Sequence, residues 1–295
     1  MDTFDAAVIG GGPGGYIAAI RCAQLGRKTA LIESRDLGGT CLNRGCIPTK
    51  ALLHTVELYG EVKNHGKELG LVSEGLAIDY AALVARKDAV VGCLRRGIEG
   101  LVKGKKITLI RGSAAFSGAK TLNVRGADGA AVQYGAENII IATGSEPASI
   151  PVPGAELPLV LNSDAVLSLT KAPESAVIIG GGVIGIEFAT LLNGMGKKIT
   201  IIEMLPRILN GMDRSICEGM TKILEKRGVE IHTGAKLLEI KHTPQGALGE
   251  MTCVYEEGTT KEAGGGIVIM AVGRRPVSGD LNLAAAGVAE TRGFI

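Results

Sequence analysis

The sequence predicts an α/β chain built from two copies of one strand–helix–strand module. Three observations carry that expectation. A glycine-rich turn follows an apolar strand at the N-terminus, the same turn recurs far along the chain with its spacing preserved, and each copy closes with an apolar strand running into a small-x-Gly turn. The 295 residues suffice for roughly two domains of about 150 each. With 46% apolar and 21% charged residues, the chain can bury substantial cores.

The first module begins FDAAVIGGGPGGYIAAIRCAQLGRKTALIE. An apolar strand over Ala6–Ile9 leads into Gly10-Gly11-Gly12-Pro13-Gly14-Gly15, then a helical pattern, then a second strand from Thr29 to Ile32 that ends on Glu33. Gly10, Gly12 and Gly15 fit GxGxxG, and each has a physical task. Gly10 permits the tight turn, Gly12 lets the backbone approach a pyrophosphate, and Gly15 lets helix pack on strand. Helix N-terminal amides would face the phosphates, and Glu33 sits where an acid accepts hydrogen bonds from a ribose.

The second module, SAVIIGGGVIGIEFATLLNGMGKKITIIE, places Gly180, Gly182, Gly185 and Glu203 at a constant offset of 170 from Gly10, Gly12, Gly15 and Glu33. Chance does not preserve the spacing to the acid, so the fold is read as two Rossmann-like dinucleotide-binding modules. The closing strands are NIIIATGSEP in the first and GIVIMAVGRRP in the second. Between fingerprint and closure the first module is longer, and the extra length includes a helix-like stretch from about Tyr80 to Lys103. The expected division is 1–149 for the first domain, 150–272 for the second, and 273–295 for the start of a segment returning to the first.

An acid at each ribose position favours a free 2′-hydroxyl and would repel a 2′-phosphate, so NAD is expected over NADP in the second site, with Arg207 four residues past Glu203. Two such sites can hold two nicotinamides or one flavin and one nicotinamide. The cysteines inserted in the first module make the flavin arrangement the more sensible one.

Those cysteines lie in GGTCLNRGCIPTKALL, Gly38 to Leu53. Pro48 suits the first turn of a helix, which would put Cys46 near a helix N-terminus where a thiolate is stabilised. Lys50 adds a cation one turn along. Zinc would need four ligands, and no second close Cys or His pair accompanies His54, so no metal is expected. A static disulfide does not suit a reducing compartment, which leaves a redox-cycling pair beside a flavin. Cys22, Cys93, Cys217 and Cys253 stand alone and are expected to be small buried hydrophobes.

The net charge is +2, from 32 basic and 30 acidic residues without a long run of one sign, so no nucleic-acid partner is expected. No signal-peptide pattern and no apolar run of about 18 residues are found, so the expectation is a cytoplasmic protein with no membrane association.

The two-cysteine segment, together with GGGPGGYIAAIRCAQLG, IIIATGSEP and GGGVIGIEFA, resembles the flavin-dependent pyridine nucleotide–disulfide oxidoreductases from end to end. Within them it is closer to the lipoamide branch, the dihydrolipoamide dehydrogenases, than to the glutathione or mercuric reductases. Arg44 stands where many members have valine, and Val277 where asparagine is common. The resemblance implies an FAD/NAD(P)-linked reductase fold with FAD in the first module and NAD in the second. It implies Cys46 as the thiol beside the flavin, Cys41 as the thiol that exchanges with substrate, and Lys50 at the flavin edge paired with Glu187. It extends the cofactor-binding set to Gly14, Gly39, Thr40, Ala142, Thr143, Gly144 and Gly273.

The implied reaction is oxidation of protein-bound dihydrolipoamide with reduction of NAD⁺. The implied partner is the lipoyl domain of a 2-oxoacid dehydrogenase or glycine cleavage complex, with the intact family working as a homodimer. Another flavin disulfide reductase, or a nucleotide-binding fragment without turnover, stands as the alternative. Against the family pattern the C-terminal dimerisation domain, with its His–Glu acid/base pair, is expected to be absent. None of His54, His65, His232 or His242 falls in the corresponding segment.

Overall fold

The structure is a computed structural model that describes residues 1–244 and 250–295. The chain divides into two compact units: Met1–Pro48 with Asp88–Glu146 and Arg274–Ile295, and Thr49–Lys87 with Pro147–Gly273.

The first unit is built on a six-stranded sheet. The fingerprint strand Asp2–Ile9 pairs in parallel with Thr29–Glu33 on one side and with Ala131–Ile141 on the other. Thr108–Arg111 extends the parallel edge beyond Thr29–Glu33. On the other edge, Thr121–Arg125 and Ser113–Gly118 add antiparallel strands. A central parallel strand is covered on both faces, so it reads as an unbroken apolar run instead of an alternation. Ala30, Leu31 and Ile32 are accordingly all buried, and each large side chain so covered contributes about 1.5–3 kcal/mol. The closing strand begins well before the apolar run NIII, at Ala131, because its first half pairs with the antiparallel edge.

In the second unit the sheet is wholly parallel, in the spatial order Glu230–Thr233, Lys198–Glu203, Ser175–Ile179, Ile267–Met270 and Val160–Asn162. An antiparallel meander, Lys236–His242, Met251–Glu257 and Thr259–Gly265, covers one part of it. Here too the fingerprint strand lies between the acid-bearing strand and the closing strand.

The compact units are cut differently from the expected division at 149/150. Residues 49–87 group with the second unit because Leu52, Val56 and Leu83 join Ile178, Ile186 and Phe188 in one buried cluster. A Cβ on Gly194 would stand 2.4 Å from Val56 Cγ1, which shows how closely the two helices approach there. The helix expected near Tyr80–Lys103 is present as Tyr80–Gly104.

Two glycine substitutions test this packing in opposite directions. A Cβ on Gly15 would lie 1.7 Å from Gly10 O, so Gly15→Ala forces the backbone apart and should cost at least about 2 kcal/mol. Gly97 is exposed inside helix Tyr80–Gly104 with nothing near its missing Cβ, so Gly97→Ala should add about 0.5–1 kcal/mol. Urea midpoints decide both, and a Gly15→Ala chain that unfolds at the wild-type midpoint refutes the close approach.

Candidate functional site

Each glycine turn is closed by backbone contact. Gly10 has φ +103°, and a Cβ on it would stand 2.2 Å from Ala142 O, so only glycine fits. Gly180 repeats this with φ +104° against Ala271 O at 2.5 Å, and Gly185 would meet Gly180 O at 2.0 Å. Helix Pro13–Gln24 starts from Gly12 with Pro13 in its first turn, and helix Val183–Gly194 starts from Gly182. Among the described residues no side chain caps either helix, so the first-turn amides are left for an anion. Gly14 and Gly182 have no atom within 4 Å of a would-be Cβ, so the space a phosphate needs is open at both turns.

The acids do more than the sequence foretells. Glu33 Oε2 accepts from Gly11 N at 2.6 Å and Oε1 from Arg35 N at 2.6 Å. Glu203 does the same with Gly181 N at 2.5 Å and Leu205 N at 2.6 Å. Both carboxylates are nine-tenths buried, and each oxygen keeps a second lone pair for a ribose hydroxyl. Gly11 and Gly181 were not singled out from the sequence, although they share the offset of 170 that marks the repeat.

Around the first turn, a cleft of about 160 Å³ is lined by Gly10, Glu33, Ser34, Gly112 and Asp280 among others. A second hollow of about 440 Å³ is lined by Ala142, Thr143, Gly144 and Arg274. Gly112 and Arg274 escaped the sequence reading. Gly112 has φ +154° and would clash with Arg125 O at 2.5 Å, a demand that only the paired strands reveal. Arg274 donates through Nε to Ser145 Oγ at 2.8 Å, through Nη2 to Ser145 O, and at 3.4 Å to Thr40 Oγ1. An unblocked helix N-terminus, a buried ribose acceptor and adjoining hollows fit a dinucleotide of the flavin kind. In the second module, Gly273 has φ +115° with open space where a side chain would be.

Cys41 lies in the short helix Gly39–Arg44, and Cys46 opens the helix Cys46–His65. The two are joined as a disulfide, with Cα atoms 4.7 Å apart. Gly45 separates the helices with φ −146° and ψ −112°. A Cβ there would stand 3.0 Å from Thr40 O and 3.4 Å from Cys41 Cα, so the turn between the cysteines is tightly packed. Cys46 is exposed at the positive end of its helix, the setting that favours a thiolate leaving group. The segment rests directly on the phosphate turn, since Gly39 (φ +59°) would place a Cβ 2.5 Å from Gly12 Cα. Lys50 Nζ donates to Glu187 Oε1. With Lys50 60% exposed, that pair contributes position more than stability.

His54 is exposed on its helix, and His232 Nδ1 lies 3.1 Å from Glu257 Oε2. Arg207 adds to the cations, chiefly Arg214, that hold the Glu218 carboxyl below the usual carboxylate range. Of the four single cysteines, Cys217 and Cys253 are buried as expected, whereas Cys22 is half-buried and Cys93 exposed. Cys93 is therefore a correction: helix Tyr80–Gly104 turns Ile98 and Val102 to the core, which leaves Cys93 and Leu94 on its outer face.

A model of the pyridine nucleotide-disulphide oxidoreductase family matches residues 4–295. The chain belongs to that family. Dihydrolipoyl dehydrogenase of Geobacillus stearothermophilus is 42% identical over 291 residues, covering 98% of this chain and 60% of the relative. Dihydrolipoyl dehydrogenase of Trypanosoma brucei brucei is 38% identical over 299 residues, covering 100% and 62%. Among solved structures, the Cu(II) complex of the HOCl-induced flavoprotein disulfide reductase RclA from Escherichia coli superposes with a TM-score of 0.85. It is 30% identical, over 100% of this chain and 62% of that one. The chain thus spans about 60% of the length of these family members. Among the described residues no helix is long and apolar enough to cross a membrane.

Thiol reactivity should follow the cysteine environments. Burial pushes the Cys253 thiol up to about 12, so at pH 8 its thiolate fraction is roughly one in ten thousand. With the disulfide intact, iodoacetamide should label Cys93 first and reach Cys217 and Cys253 only in denaturant. Peptide mapping checks the order, and early labelling of Cys253 would contradict the burial.

Proposed function

We propose that this chain carries the nucleotide sites and the redox disulfide of a dihydrolipoyl dehydrogenase, oxidising protein-bound dihydrolipoamide and reducing NAD⁺. The observation that carries the reading is the Cys41–Cys46 disulfide, held at a helix N-terminus and pressed on the phosphate turn of the first module. The first module would take FAD through Gly10, Gly12, Gly14, Gly15, Glu33, Gly39, Thr40 and Ala142–Gly144. The second would take NAD through Gly180, Gly182, Gly185, Glu203 and Gly273. FAD, when bound, supplies two-electron passage between a dithiol and a nicotinamide.

The cysteines take defined parts. A lipoyl thiolate attacks Cys41 Sγ, the Cys41–Cys46 bond breaks, and Cys46 leaves as a thiolate stabilised by its helix terminus. The second lipoyl thiol then displaces Cys41, closing the lipoyl disulfide and leaving both protein sulfurs reduced. One disulfide is consumed and one formed, so the step balances. Lys50, steadied by Glu187, supplies a cation one helical turn from Cys46. The partner would be a lipoyl domain of a 2-oxoacid dehydrogenase or glycine cleavage complex, met in the cytoplasm by a homodimer. The likeness to RclA favours a second reading, in which the same disulfide belongs to another flavoprotein disulfide reductase with a different substrate.

Two measurements test this reading. On partial reduction the yellow protein should develop a long-wavelength band that Cys46→Ser abolishes and Cys41→Ser retains. A band that survives Cys46→Ser sinks the assignment, and comparing dihydrolipoamide with glutathione and mercuric ion in the full-length protein separates the two readings. NADH should bind at least about tenfold tighter than NADPH, one charge repulsion being worth on the order of 1.4 kcal/mol. Glu203→Gln should narrow that ratio, and fluorescence titration showing equal affinities in the wild type refutes the role of Glu203.

A further inference from the structure

Between the two cysteines, Asn43 makes contacts that nothing in the reaction calls for. Its Nδ2 donates to Leu37 O at 3.0 Å and to Gly39 O at 3.0 Å, with Asp36 O at 3.5 Å on the margin. Two N–H bonds therefore meet two good carbonyl acceptors, which fixes the orientation of the amide. The cost of that orientation is visible: among the described residues, buried Asn43 Oδ1 has no hydrogen-bond partner. An orphaned buried acceptor is destabilising, and an apolar side chain at this place would avoid it. The donors, not the side-chain volume, account for an amide here.

What the donors hold is the turn that delivers Cys41. Helix Gly39–Arg44 has six residues, too short to stand alone, and its first backbone bond, Leu42 N to Gly38 O, is stretched to 3.4 Å. Upstream, Gly38 and Gly39 both require positive φ, and Gly38 N is tied to Gly11 O at 2.8 Å. The Asn43 amide bridges the carbonyls on both sides of these strained glycines, so it locks the turn to the helix that bears Cys41. Asp36, at the start of the turn, is anchored in addition by Arg95 Nη1 at 3.0 Å.

We propose that Asn43 is a positioning residue that sets the redox poise of the Cys41–Cys46 pair by holding Cys41 beside Cys46 when the bond between them is open. The inference rests on the reading of these cysteines as a redox pair. Two thiols kept in place by the scaffold have a high effective concentration, which favours the disulfide; loosening the scaffold lowers it and favours the dithiol.

The test equilibrates the protein with dithiothreitol and its cyclic oxidised form. Protein disulfide plus dithiothreitol gives protein dithiol plus oxidised dithiothreitol, two electrons and two protons passing between them. Acid quenching, alkylation and mass spectrometry of the Cys41–Cys46 peptide read the equilibrium constant. Asn43→Leu should shift it at least about threefold toward the dithiol. Asn138→Leu is the control: it removes a similar amide-to-carbonyl bond, Asn138 Nδ2 to Asp5 O at 3.2 Å, in the same unit, and should leave the constant unchanged. Asn43→Ser gives the measurement if Asn43→Leu does not fold. A smaller or opposite shift, or an equal shift in Asn138→Leu, overturns the inference while leaving the redox reading intact. A wild-type pair that reaches no equilibrium overturns both.

Discussion

A buried carboxylate gripping a glycine amide holds each nucleotide turn in shape, and most of the site hangs from that grip. Glu33 on Gly11 and Glu203 on Gly181 join the end of one strand to the loop leaving its neighbour. The bond does two things at once. It supplies an acceptor to the amide that the tight turn would strand, and it points the remaining lone pairs of the acid toward the ribose position. Bonds from backbone amides to an ionised group are worth about 1.5–3 kcal/mol each, so four of them stiffen two loops that glycine would otherwise leave loose.

From that fixed turn the first unit builds outward by close backbone approach. Gly15 sits over Gly10 O and Gly39 over Gly12, both contacts closed to a side chain, and Gly45 lies tightly against Thr40 O. The chain from Gly10 to Cys46 is therefore a stack of bare backbone in which the redox pair is the last layer. In the second unit the same turn is built without such an insertion, which leaves the space beyond Gly182 open. One turn thus recurs in both units, and the difference lies in what is laid on top of it.

Much of this was legible in the sequence. The repeat at offset 170 located both turns and both acids, because glycine spacing and a terminal acid are local demands written in residue types. The Lys50–Glu187 pair, 137 residues apart, was reachable only through resemblance, and the structure brings the two together. Gly112 and Arg274 were not legible, since the need for each arises from a strand pairing or a side-chain contact far along the chain. The exposure of Cys93 was missed for a similar reason: a cysteine in a mixed helical stretch does not declare which face will find a partner. The grouping of residues 49–87 with the second unit belongs here as well. Apolar periodicity says that Leu52, Val56 and Leu83 will be covered, but not by which core.

The cysteine segment shows how the two kinds of information combine. Spacing alone permits a metal pair, a staple or a redox couple, and the surrounding modules decide among them. What spacing could not show is how the four residues between the cysteines are made to bring two sulfurs together at a helix terminus. The answer is a short helix that cannot support itself, a glycine that ends it, and an asparagine amide that ties its entrance, at the price of a buried oxygen left alone. A disulfide that must open and close cannot rely on its own bond for alignment. Its geometry has to be carried by contacts that survive when the bond is broken, and in this chain those contacts include close backbone approaches, the Asn43 amide and the Arg274 bond to Thr40.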